Sequence, residues 1–148
     1  MKRETTTLPH KTALAARRWY LVDARGKTVG RLASAIAGVL RGKNNPAFSP
    51  HIDSGNFVVV INARQVRFSG NKLQDKIYYR HTEYPGGIRT TSAEQLLASR
   101  PEEVLRKAVT GMLPKTPLGR HLAGKVKIYP DANHPHAAQQ PVAYSLGE

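Results

Sequence analysis

Apolar positions along this chain fall into short runs whose spacing alternates between that of strands and that of helices. Trp19-Tyr20-Leu21-Val22 is a continuous aromatic and aliphatic run that ends in Asp23-Ala24-Arg25-Gly26, which predicts a buried strand followed by a turn. The period then changes. Leu32, Ala33, Ile36, Ala37, Val39 and Leu40 recur at helical spacing, with Arg31, Ser34 and Arg41 on the opposite face. Thr28 suits the N-cap of this helix, and Gly42 suits its stop. Strand, tight turn and helix form the first half of a βαβ unit.

Pro46, Pro50 and Gly55 mark a loop before Phe57-Val-Val-Val-Ile61, a β-branched run that reads as a strand covered on both faces in a parallel sheet. Asn62 to Val66 predicts a single helical turn. Lys76-Ile77-Tyr78-Tyr79-Arg80 is a weaker strand pattern, and Tyr84-Pro85-Gly86-Gly87 reads as a loop. Ser92-Ala-Glu-Gln95 matches a capping box in front of a short helix through about Ala98. A further helix starts at Pro101, with Glu102 and Glu103 in its first turn and Val104, Leu105, Ala108, Val109 and Met112 at helical spacing. Charged and apolar residues alternate over 125–129, as in a strand nearer a sheet edge. From Pro130 the chain is rich in Pro, His, Ala and Gln and reads as an extended tail. Alternating strands and helices around a strand buried on both faces predict a layered α/β fold. The organisation is a basic arm over 1–16, one domain over 17–129 and the tail over 130–148.

Charge sharpens this outline. The 148 residues carry a net charge of +13, and residues 1–43 hold ten Lys or Arg against only Glu4 and Asp23, a local +8. Such an excess repels itself in a compact fold and persists where a polyanion neutralises it. Nucleic acid, whose phosphates release counterions on binding, fits better than a merely solvated surface. There is no cysteine, which excludes disulfides and thiolate chemistry. No apolar stretch approaches the length of a membrane span, and no signal-peptide core follows Met-Lys-Arg, so a cytoplasmic protein is expected.

The enzymatic motifs fail on spacing. Gly26-Lys27-Thr28 resembles the end of a P-loop, but the position five residues before Gly26 is Leu21 rather than glycine. A basic helix N-terminus with Lys27, Thr28 and Arg31 remains, suited either to a phosphate or to ordinary capping. The glycines at 26 and 30 lack the third member of a dinucleotide fingerprint. His134-Pro135-His136 has no cysteine and only Asp131 close by, so a metal shell is hard to complete. Ser49, His51 and Asp53 lie too close in one loop to form a triad, and there is no nucleophile elbow. No catalysis, cofactor, metal or small-molecule substrate is expected.

Residues 72–89 interleave cations with flat rings, a mixture suited to irregular or single-stranded RNA, although one of Tyr78 and Tyr79 is expected in a core. Lys115, Arg120, Lys125 and Lys127 form a second basic group, broken by Pro114, Pro117 and Gly119. The candidate RNA contacts are therefore Arg17, Arg18, Arg25, Lys27, Thr28, Arg31, Arg41 and Lys43 in the N-terminal third, with Ser49 and His51 in the loop. Lys72, Lys76, Tyr78, Arg80, His81 and Arg89 follow in the ring-bearing stretch. Lys115, Arg120, Lys125, Lys127, His134 and His136 complete the set.

Several stretches together resemble the family of bacterial large-subunit ribosomal protein thirteen. They are Trp19-Tyr-Leu-Val-Asp-Ala24, Gly30-Arg-Leu-Ala-Ser34, Leu40-Arg-Gly-Lys43, Ser49-Pro-His-Ile-Asp-Ser-Gly55 and Val60-Ile-Asn-Ala63. Ser69-Gly-Asn-Lys72, Tyr84-Pro-Gly-Gly87, Gly111-Met-Leu-Pro-Lys115, Leu118-Gly-Arg120 and His134-Pro-His-Ala-Ala-Gln-Gln-Pro141 follow in the family's order. Asn56 stands where an acidic residue is common. The resemblance implies a three-layer α/β/α domain around a mainly parallel four-stranded sheet, with basic loops. It also implies a structural component of the large ribosomal subunit that binds 23S-type rRNA, contacts neighbouring ribosomal proteins and joins early in assembly. A free-standing RNA- or DNA-binding regulator is the alternative. Against DNA reading, the helix over 29–41 offers mostly Ala, Gly and Ser beside its arginines.

Overall fold

The structure, a computed structural model, describes residues 17–46 and 48–145. The basic arm over 1–16 lies outside the described residues. The elements alternate much as the hydrophobic pattern implies. Strand β1 (Trp19–Asp23) leads into helix α1 (Val29–Arg41), strand β2 (Phe57–Ile61) and a 3-10 turn (Ala63–Gln65). A short helix α2 (Lys72–Asp75) precedes the hairpin strands β3 (Ile77–His81) and β4 (Ile88–Ser92). Helices α3 (Ala93–Ser99), α4 (Pro101–Met112) and α5 (Pro117–Gly124) follow, then β5 (Val126–Ile128), a 3-10 turn (Ala137–Gln139) and β6 (Val142–Ala143).

Four strands form one parallel sheet in the order β5-β2-β1-β6. The sheet register sorts the side chains. Tyr20, Val22, Val58, Val60, Val126 and Ile128 share one face, and Val22, Val58 and Val60 bury there against Leu32, Ile36 and Leu40 of α1 and Val104, Leu105 and Val109 of α4. Truncating one such fully buried aliphatic side chain costs about 2–5 kcal/mol. The opposite face carries Trp19 stacked on Phe57 at 4.4 Å, and the segment after β5 crosses it with His136 5.3 Å from Trp19. The layered α/β architecture is as the hydrophobic pattern predicts, and the four-stranded parallel sheet is as the family resemblance implies.

Local signals explain the helix ends. Gly42 closes α1 in the left-handed conformation (φ 77°), and its N–H joins the Gly38 and Val39 carbonyls. At α3 both bonds of the capping box form between Ser92 and Gln95. Thr28 occupies the N-cap of α1, yet its side chain makes no capping bond. Instead residues 27–29 pair with Arg67: Val29 N–H donates to Arg67 O at 3.0 Å, and Arg67 N–H to Lys27 O at 2.9 Å.

The weaker strand pattern at 76–80 forms as a strand at 77–81, outside the main sheet, and pairs antiparallel with β4, which the polar sequence of 88–92 concealed. Three expectations change. The region of Pro117 and Gly119 is helical, because Pro117 stands in the first turn, where proline is tolerated, and the Thr116 hydroxyl accepts from Gly119 N–H. β1 is less buried than its apolar run suggests, with Val22 its one fully buried side chain. The segment from 130 is no free tail as far as residue 145. It turns back through Ala137–Gln139, places β6 beside β1, and sets Tyr144 against Tyr20 at 4.9 Å.

Candidate nucleic-acid interface

The Arg67 clamp beside α1 is where cations converge. It lays residues 67–69 along the start of α1, and α2, β3 and α4 close the other sides of a groove of about 770 Å³. Arg31, Arg67, Lys72, Lys76 and Lys107 line this groove, and among the described residues no carboxylate does. Half-buried Tyr78 forms part of its wall. Lys76 Nζ lies 5.2 Å and Lys107 Nζ 5.1 Å from the Tyr78 ring centroid, so the ring positions two ammonium groups through its π-system. Burial pushes the Tyr78 hydroxyl above its usual pKa, keeping it neutral and able to donate. With cations on the ring, its chemistry here favours phosphates over stacked bases.

The helix terminus itself is narrower as an anion site than its sequence suggests. Val29 N–H is taken by Arg67 O, which leaves the amides of Gly30 and Arg31, two residues that line the groove, as the first-turn donors without an intrahelical partner. Thr28 lines the groove with its hydroxyl unused as a cap.

Other predicted residues are spread beyond this site. Arg18, Arg25 and Lys43 are exposed, Lys27 is partly exposed, and Arg41 lies over the Phe48 ring at 5.7 Å. In the 48–56 loop Ser49 is half-buried and His51 exposed. Arg80 and Arg89 face each other across the hairpin, and His81 Nδ1 accepts from Glu83 N–H at 2.9 Å. Lys115 and Arg120 flank a separate hollow with Pro114 and Gly119. Lys127, opposite Val59 in the register, sits on the sheet face away from α1 and α4.

Four predicted contacts are engaged inside the protein. Arg17 Nη2 donates to Asp53 Oδ2 at 2.6 Å, and Lys125 Nζ donates to Asp53 Oδ1 and, at 2.8 Å, to Gly55 O. The Lys125 side chain is 6% exposed, and burial pushes its ammonium below the usual lysine pKa, opposed by Asp53. His136 Nε2 hydrogen-bonds the Tyr129 hydroxyl at 2.8 Å, and His134 Nδ1 accepts from His136 N–H at 3.2 Å. These two histidines order the returning segment against the sheet.

Arg67 and Lys107 escaped the sequence reading. Arg67 sits in a stretch with no period, and its significance comes from the long-range bridge to Thr28. Lys107 lies on the polar side of α4 and gains meaning only where β3 brings Tyr78 beside it.

Residues 17–135 match the family described as Ribosomal protein L13. A large ribosomal subunit protein uL13 of Psychrobacter cryohalolentis is 56% identical over 140 residues, covering 95% of this chain and 99% of that protein. Those of Brevibacillus brevis and Roseiflexus sp. are 52% and 54% identical over 141 and 138 residues. They cover 95% and 93% of this chain and 97% and 94% of their own lengths.

Proposed function

This chain belongs to the ribosomal protein L13 family, and from that premise we propose that its carboxylate-free groove holds the phosphate backbone of 23S-type ribosomal RNA. The protein is a structural constituent of the large ribosomal subunit, associated with ribosomal RNA and proteins. Its family is one of structural rather than enzymatic proteins. Early entry into subunit assembly, in the cytoplasm, completes the reading.

The observation that carries the RNA contact is the convergence of Arg31, Arg67, Lys72, Lys76 and Lys107 from separate segments, with no acidic residue in the lining among the described residues. Five cations around one cavity repel one another, even with Glu103 one turn from Lys107, and a bound polyanion converts that repulsion into binding energy with release of counterions. Arg17, Lys125 and His136 belong to the scaffold rather than to this surface. Arg18, Arg25, Lys27 and Lys43 supply further cations in the N-terminal third, and Lys115 and Arg120 supply a second, smaller contact.

Co-sedimentation of the full chain with large ribosomal subunits through a high-salt cushion tests this function. Retention on the large subunit is expected. Release into the free fraction at salt concentrations that leave other subunit proteins bound would contradict it and favour a free-standing RNA-binding protein.

A further inference from the structure

The β3–β4 hairpin contains an arrangement that folding alone does not favour. Its register sets Arg80 directly opposite Arg89. Thr82 N–H donates to Gly87 O at 2.9 Å, and Ala93 N–H to Lys76 O at 2.9 Å, so the two-residue period of the ladder makes 80 and 89 a hydrogen-bonded pair. Directly opposed residues of such a pair project from the same face with Cα atoms about 5.5 Å apart. Like charges placed there destabilise a hairpin. Both arginines are exposed, and neither side chain forms an ion pair or hydrogen bond among the described residues. A two-stranded sheet has little stability to spare for such repulsion.

The pair is also aligned with the groove. Strand alternation puts Tyr78, Arg80 and Arg89 on one face, while Ile77, Tyr79 and Ile88 lie on the other. Tyr78 is the groove wall that carries Lys76 and Lys107. The cationic surface therefore leaves the groove and runs up one face of the hairpin, with the arginine pair one pleat beyond Tyr78.

We propose that Arg80 and Arg89 form a two-armed clamp for a single phosphate of the RNA backbone, next along the strand from the phosphates in the groove. Two guanidiniums from adjacent strands offer donors that converge on one tetrahedral anion, and a shared anion turns their mutual repulsion into cooperative attraction. The clamp reads backbone position, not base identity. It rests on the RNA-binding reading above and adds that these two residues act on one phosphate as a unit.

The test is a double-substitution cycle in the full-length protein, with deproteinised large-subunit rRNA as the probe. Arg80→Gln and Arg89→Gln should each weaken binding about tenfold, the scale of a lost charge-assisted pair. The double variant should lose clearly less than the product of the two, and its salt dependence should flatten by about 0.7–0.9, the value for one phosphate. In the free protein each single variant should unfold at an unchanged or higher denaturant concentration, because a repulsion has been removed. Multiplicative losses with a slope change worth two phosphates would overturn the clamp, as would unaltered affinity in both variants. Failure of the unsubstituted protein to bind the rRNA would instead strike the RNA-binding reading itself.

Discussion

Lys125 and Asp53, 72 residues apart in the chain, form an ion pair in the domain interior that also receives Arg17. Two of the chain's 23 basic residues are thereby committed to tying the 48–56 loop to the chain just ahead of β1 and of β5. This separates cations that build the fold from those left free for a polyanion. Asp53→Ala strands both cations, Lys125 almost fully buried, and should lower unfolding free energy by about 3 kcal/mol. Lys125→Met removes the more buried charge, keeps the Arg17–Asp53 pair, and should cost less. Urea unfolding of the two variants checks the order, and a larger loss in Lys125→Met would refute it.

Gly55 occupies the same loop under a steric constraint. A Cβ built there would lie 1.6 Å from Leu40 O and 2.4 Å from Leu40 C, backbone atoms of α1 that cannot step aside. The Gly55 carbonyl also accepts the Lys125 bond. Gly55→Ala should therefore displace the loop and destabilise the domain by more than about 3 kcal/mol, among the larger effects of a single substitution. A thermal midpoint within a degree or two of the parent would contradict this.

Acid should reveal one contact at the end of β1. Asp23 Oδ1 accepts from Asn62 Nδ2 at 2.9 Å and from Arg25 N–H at 3.0 Å, and the Asn62 bond is the main reason its carboxyl is held below the usual aspartate pKa. A carboxyl depressed in the folded state binds protons more readily in the unfolded state. Its stabilisation is therefore present above the ordinary aspartate pKa near 4 and is lost as pH falls through the depressed value. Solvent screening keeps it to a few tenths of a kcal/mol. Asp23→Ala should flatten the acid limb of the stability curve by that amount and leave its slope near neutrality unchanged. An acid limb identical to the parent's would exclude this role.

The strong periodic signals in the sequence read through to the fold. The apolar face of α1, the β-branched run of β2, the capping box at Ser92 and the first turn of α4 each carry a local physical cause visible in a few residues. What stayed hidden depends on distant partners. Val142–Ala143 is too short to show a strand pattern and becomes one only beside Tyr20 and Leu21. Gly119 looks like a breaker, yet a Cβ there would lie 1.7 Å from Pro114 O, so glycine is what lets α5 pack closely. Lys125 reads as an RNA contact until Asp53 is placed beside it. The site follows the same rule: Arg31 and Lys76 stand out in the sequence, whereas Arg67 and Lys107 join them only through tertiary contacts.

The groove is the centre of the account, and the salt dependence of rRNA binding tests it most directly. Arg31, Arg67, Lys76 and Lys107 are changed together to Gln, leaving the buried Asp53 cluster intact. The slope of log affinity against log salt should then become shallower by about 3, near 0.7–0.9 for each phosphate no longer neutralised. Binding at low salt should fall in parallel while the unfolding midpoint stays close to the parent's. A slope unchanged from the unsubstituted protein would show that these four cations neutralise no phosphate and that the RNA lies elsewhere.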